Sequence, residues 1–163
     1  VYDGNVTEEV IGPDRFLEYY APVYNGLKQL LHRNGKLMGV RADVETVEMA
    51  EALGSTGFDF IDGFTPEDGT GLNLAEAMTV WPDKVIWVNF PPSFFALGPD
   101  ACREELRQLI REAAPGSRVV FGVAEDVLPE NWPSCLAALV QVLKDEFHPP
   151  ERWTNAFTPV NGI

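Results

Sequence analysis

Four times along this chain a short, nearly unbroken apolar run gives way to a polar loop and then to apolar residues at helical spacing. The second instance shows the pattern most plainly. FDFIDGF (58–64) is followed by Thr65-Pro66, an acidic glycine-rich stretch, and then Leu72, Leu74, Ala75, Ala77 and Met78. Parallel strands, covered by helices and packed inside a core, read as continuous apolar runs, and a 3.6-residue period marks the helix that follows. The other three runs are residues 36–42, 84–90 (KVIWVNF) and 118–123 (RVVFGV). Their helices pass through Val47, Ala50 and Leu53 to Gly54; through Cys102, Leu106, Leu109, Ile110 and Ala113; and through Trp132, Leu136, Leu139, Val140, Leu143 and Phe147. Such alternation predicts an α/β fold with a parallel sheet and right-handed crossovers.

A leading helix is predicted over 13–34. Pro13-Asp14 opens it, and Phe16, Leu17, Tyr20, Val23, Tyr24, Leu27, Leu30 and Leu31 form one apolar stripe. Pro22 is expected to kink or interrupt this helix, and Asn34-Gly35 to cap it. The four βα units then occupy 36–147, and an irregular tail 148–163, within one domain. Four units make half of an eight-stranded barrel, which needs about 250 residues. An open doubly wound sheet competes, but no Gly-x-Gly-x-x-Gly follows any of the runs.

Composition narrows the partners. The 163 residues carry a formal net charge of -13, opposite to the basic patch that nucleic acid requires and unsuited to an anionic membrane. No apolar run is long enough to span a bilayer, and VYDGNVTEEV lacks the basic and apolar regions of a signal peptide. Cys102 and Cys135 both fall in helical patterns and read as reduced thiols of a cytoplasmic protein. His32 and His148 stand near helix ends, neither at metal or triad spacing.

Several words of the chain resemble the uroporphyrinogen decarboxylase-like superfamily. IGPDRFLEYYAP (11–22) is similar to its helix entry, where a Pro, a Phe and a later Pro recur. LMGVRADVE, FDFIDGFTPEDG, LAEAMTVWPDKVIWVNFPPS and FGVAEDVLPENW look like the last four βα units of one branch. The resemblance implies a (β/α)8 TIM barrel of which this chain is the C-terminal half. It also implies decarboxylation or methyl transfer on a small molecule. Methyltransferases of the superfamily hold zinc on a His-x-Cys pair where this chain has Arg41 and Asp43, and no cysteine lies in a strand-end loop. No metal and no cofactor are therefore expected. The alternative is a non-catalytic small-molecule binding or scaffold protein that has lost the metal-site residues. The expected partners are a small-molecule substrate and either a second copy of the chain or an N-terminal half barrel.

Sites in such barrels lie at the C-terminal ends of the strands. Arg41 and Asp43 end the first strand; Arg41 can clamp a carboxylate or form a salt bridge to Asp43 or Asp62. Asp62, Thr65 and Glu67 follow the second, where Thr65-Pro66 also suits a plain turn. Asn89 ends the third strand, ready to orient a substrate oxygen or to satisfy the Pro91-Pro92 loop. Glu125 and Asp126 follow the fourth, as an acid/base pair or as a helix cap. Glu125 and Asp62 are the expected catalytic groups. Arg41, Asp43, Thr65, Asn89 and Asp126 are the expected substrate contacts. Trp87, Phe90, Phe94 and Phe95 read as core packing.

Overall fold

The computed structural model describes residues 11–41, 47–66, 71–113, 118–123 and 131–146. Each apolar run contains a strand: β1 (Gly39–Arg41), β2 (Phe60–Phe64), β3 (Val85–Phe90) and β4 (Val119–Val123). Neighbours pair in parallel in the order β1-β2-β3-β4. Each crossover steps one strand further in the same direction, so the order contains no reversal of the doubly wound kind. The arrangement is α/β and consistent with part of a TIM-barrel-like fold.

Two compact units are formed, Val1–Pro92 with Arg118–Asp126, and Ser93–Ser117 with Val127–Ile163. The first holds the sheet, α1 (Pro13–Arg15), a π-helical turn (Phe16–Tyr20), α2 (Ala21–Arg33), α3 (Ala50–Ser55) and α4 (Leu74–Val80). The second holds α5 (Ser93–Leu97), α6 (Pro99–Glu112) and α7 (Trp132–Glu146). Strand alternation sorts the sheet into two faces. Val40, Ile61, Ile86, Val88 and Phe90 lie on one and are at most 2% exposed. Arg41, Phe60, Asp62, Trp87 and Asn89 lie on the other and keep contact with solvent.

Local chemistry explains where the elements depart from expectation. Pro22 has no N–H and its ring crowds the carbonyl four residues back. The leading helix widens just ahead of it into the π-helical turn, closed by the Ala21 N–H on Phe16 O, and α2 resumes with Pro22 in its first turn. The predicted stripe is split: Phe16 and Tyr24 are buried, while Val23, Leu27 and Leu30 are exposed. α3 runs past Gly54 to Ser55, and α4 starts later than predicted, at a capping box formed by Asn73 and Glu76. α5 was not anticipated; at five residues it is too short to display a helical period.

Charged residues stitch the N-terminal ends of the strands together. Asp59, just ahead of β2, accepts the Met38 N–H at 2.7 Å and lies 2.9 Å from His32 Nε2 on α2, with Lys28 Nζ at 3.9 Å. His32 thus has a partner that sequence spacing did not reveal, 27 residues away. Lys84, 1% exposed ahead of β3, donates to Thr56 O at 2.9 Å and Phe58 O at 3.2 Å. Its third direction faces Asp83 at 3.5 Å. Arg118, ahead of β4, donates to Trp81 O (2.7 Å), Lys84 O (2.8 Å) and Met78 O (3.3 Å), satisfying carbonyls at and beyond the end of α4. In the second unit Cys102 and Cys135 are both buried and reduced. Burial, then the neighbouring Cys135 thiol, pushes Cys102 up to about 12.

Candidate functional site

The strand register brings two predicted residues side by side. Arg41 pairs with Asp62, as Gly39 does with Phe60. Just beyond, β2 carries one extra residue: Ile61 pairs with Ile86, but Phe64 with Val88. The irregularity spans Asp62-Gly63, and Gly63 takes a φ of 77°, a left-handed conformation that costs glycine little. Bulges of this kind bend a strand and re-aim its side chains, here at the end where Asp62 stands. Asn89 pairs with Gly122 on β4, on the same face as Arg41 and Asp62.

Two aromatic rings complete this face. Trp87 is 43% exposed, unlike Phe90 at 2% and Phe95 at 0%, so within this chain it lies outside the buried core. The Nε1–Cδ1 edge of its indole reaches β4, with Nε1 only 2.6 Å from where a Cβ on Gly122 would stand. On β2 the Phe60 ring covers Gly39 in the same way, 2.0 Å from a Cβ there. Both glycines leave the space that the rings occupy. Neither was legible as functional in the sequence, because a glycine inside an apolar run also marks a bulge or a bend.

Asp43, Glu67, Glu125 and Asp126 lie outside the described residues. Thr65 stands one residue past β2, half-buried and followed by the buried Pro66. Of the predicted residues that are described, Arg41, Asp62 and Asn89 share one face of the sheet, with Thr65 just beyond β2. A guanidinium binds a carboxylate through parallel N–H donors, a carboxyl exchanges a proton, and an amide orients an oxygen. Among the described residues no group of three or more His, Cys, Asp or Glu side chains stands together as a metal site. A shallow groove of about 600 Å³ on the leading helix, lined by Ile11, Arg15, Tyr19, Tyr20, Val23 and Tyr24, contains none of the cluster. No helix among the described residues is long and apolar enough to cross a membrane.

Comparison with known proteins adds one relative. Over 117 residues the chain is 28% identical to a uroporphyrinogen decarboxylase from Rhodococcus jostii (strain RHA1). The match takes in 68% of this chain and 31% of that protein, so the chain spans about a third of the relative's length. No family model matches the chain. The similarity supports a distant relation to uroporphyrinogen decarboxylases, in keeping with the strand order.

Proposed function

We propose that this chain supplies the last four βα units of a (β/α)8 barrel enzyme of the uroporphyrinogen decarboxylase-like kind, acting on a small carboxylic acid at the C-terminal ends of its strands. The pairing of Arg41 with Asp62 at that end of the sheet, with Asn89 on the same face, carries the reading. In this reading Arg41 holds a substrate carboxylate through its fork of donors and Asn89 orients an oxygen. A decarboxylation breaks the bond between the leaving carboxylate and its carbon, releases carbon dioxide and leaves an electron pair on that carbon. Asp62 or Glu125 delivers the proton that this carbon then takes up. Methyl transfer is the second chemistry that the resemblance brings. Asp43, Thr65 and Asp126 are the further substrate contacts of the proposal.

The distant similarity to a protein three times the length of the match supports a larger barrel, as do the outer edges of β1 and β4, each of which pairs on one side only among the described residues. Four further βα units or a second copy of the chain would cover those edges. Light scattering at micromolar concentration tests this for the chain as given; a stable monomer would remove the second copy. For the chemistry, Arg41→Gln and Glu125→Gln should fold normally and lose turnover of a carboxylic-acid substrate, read as released carbon dioxide. Normal turnover in Glu125→Gln with a lowered melting temperature would assign Glu125 to a helix cap. Normal turnover in Arg41→Gln would end the carboxylate reading.

A further inference from the structure

We infer, independently of the carboxylate reading, that the leading helix is a two-fold interface: α2 packs antiparallel against α2 of a second copy of this chain, with the axis at Asn25-Gly26. One face of α2 is already engaged by its own unit. Tyr24 packs on Phe58 with ring centroids 5.2 Å apart, Asn25 accepts the Gly57 N–H at 2.8 Å, and Lys28 and His32 reach Asp59. A second, apolar face is open. Val23, Gly26, Leu27 and Leu30 stand at i, i+3, i+4 and i+7, and Tyr19 extends the row four residues earlier. Six of the twelve exposed large apolar side chains among the described residues fall between Leu17 and Leu37. Such a concentration on one element marks a surface for association.

The order of residues along the helix points to a second copy as the occupant. A two-fold interface uses the same patch on both partners, so that patch must be complementary to itself. Val23 with Leu27, Tyr19 with Leu30, and Glu18 with Arg33 are each centred within one residue of Asn25-Gly26. Rotation about that point lays apolar on apolar and acid on base, and sets the two helix dipoles in opposition. It also brings Leu30 of each copy over the other's groove, beside Tyr19, Tyr20 and Val23. Glu18 and Arg33 are exposed and, at 1.5 Å per residue, stand about 22 Å apart, so they cannot meet within one helix. A neighbouring helix in a larger barrel would require none of this symmetry. Gly26 lies where the two helices cross. Glycine is a poor helix former, yet among the described residues no atom lies within 4 Å of where its Cβ would stand. Nothing described inside the chain needs that space, whereas two backbones crossing there do. Charge favours the same place: residues 13–36 hold four Lys or Arg against two Asp or Glu, in a chain of net charge -13, so two copies repel each other least here.

Sedimentation velocity at micromolar concentrations should show a reversible dimer. Gly26→Gln fills the crossing while improving helix propensity, so it should weaken association at least tenfold and leave the dilute monomer melting no lower than the parent. Leu30→Asp should weaken association as much. Glu18→Arg and Arg33→Glu should each weaken it roughly tenfold, because every change is repeated across the axis, and the double variant should restore the parent affinity. Circular dichroism checks that each variant folds. A monomer at every concentration would overturn the inference and leave the face to a helix of a larger barrel. A dimer indifferent to Gly26→Gln and Leu30→Asp would overturn it too, placing association elsewhere on the chain. A double variant no tighter than the single ones would remove the antiparallel two-fold arrangement. A lower melting temperature in dilute Gly26→Gln would give Gly26 a role inside the chain instead. None of these outcomes touches the carboxylate reading, which stands or falls with turnover in Arg41→Gln.

Discussion

At the N-terminal ends of β2, β3 and β4 a charged residue precedes each strand and is spent on backbone groups of the one before it: Asp59 on Met38, Lys84 on Thr56 and Phe58, Arg118 on Trp81 and Lys84. At the C-terminal ends Arg41, Asp62 and Asn89 share a face with an exposed tryptophan and a bulge. The first arrangement closes charge inward, where each ion replaces water with fixed dipoles. The second places charged residues and an exposed tryptophan on one face of the sheet. Under the proposed function, stability and chemistry fall at opposite ends of one sheet, the division expected of barrel-type folds.

The largest effect should come from Lys84→Met, which keeps the apolar stem and removes the ammonium. Two buried carbonyls lose a charged donor, and urea denaturation should show a loss of about 3 kcal/mol. A loss below about 1 kcal/mol would mean that water reaches those carbonyls and that the N-terminal edge is not closed as described. Arg118→Ala should follow at about 2 kcal/mol, since its guanidinium is only half-buried and water can replace part of what it gives.

Asp59 supplies a pH-dependent version of the same comparison. Burial pushes its carboxyl up, but the His32 hydrogen bond, the Met38 N–H and the charges of His32 and Lys28 together outweigh that and hold it below its ordinary 3.8. A depressed carboxyl contributes stability that is complete above the ordinary value and is lost as pH falls through the lower folded value. Melting temperatures of the protein should therefore drop more steeply below pH 3.8 than those of Asp59→Asn. Parallel curves would show that the pin carries no net energy.

Substitutions at the other end should barely register in stability. Arg41→Gln and Asn89→Ala should stay within about 0.5 kcal/mol of the parent while removing ligand binding. Larger losses would make these residues structural and erase the contrast. The smallest effect concerns the second unit: the Cys102 thiol, buried and held up to about 12, should resist a soluble disulfide reagent at neutral pH until the protein unfolds. Rapid reaction in the folded state would show that α6 and α7 part readily.

Order and type of the main elements were determined by the sequence alone, because they depend on backbone geometry repeated over a few residues. The four apolar runs became four parallel strands, and Arg41 and Asn89 were legible near strand ends from their place in those runs, whereas Asp62, expected to follow β2, is the third of its five residues. Single positions carry no such period. That Arg41 stands beside Asp62 is a matter of register between strands about twenty residues apart in sequence, and the bulge at Asp62-Gly63 shifts that register within β2. The partners of Asp59, Lys84 and Arg118 lie up to 40 residues away and depend on which chain ends the fold brings together. Trp87 sits in an apolar run that favours burial, yet it remains exposed because alternation turns it to the face opposite Ile86 and Val88. Only the tertiary structure decides which face of a sheet is covered, since covering is done by elements distant in sequence.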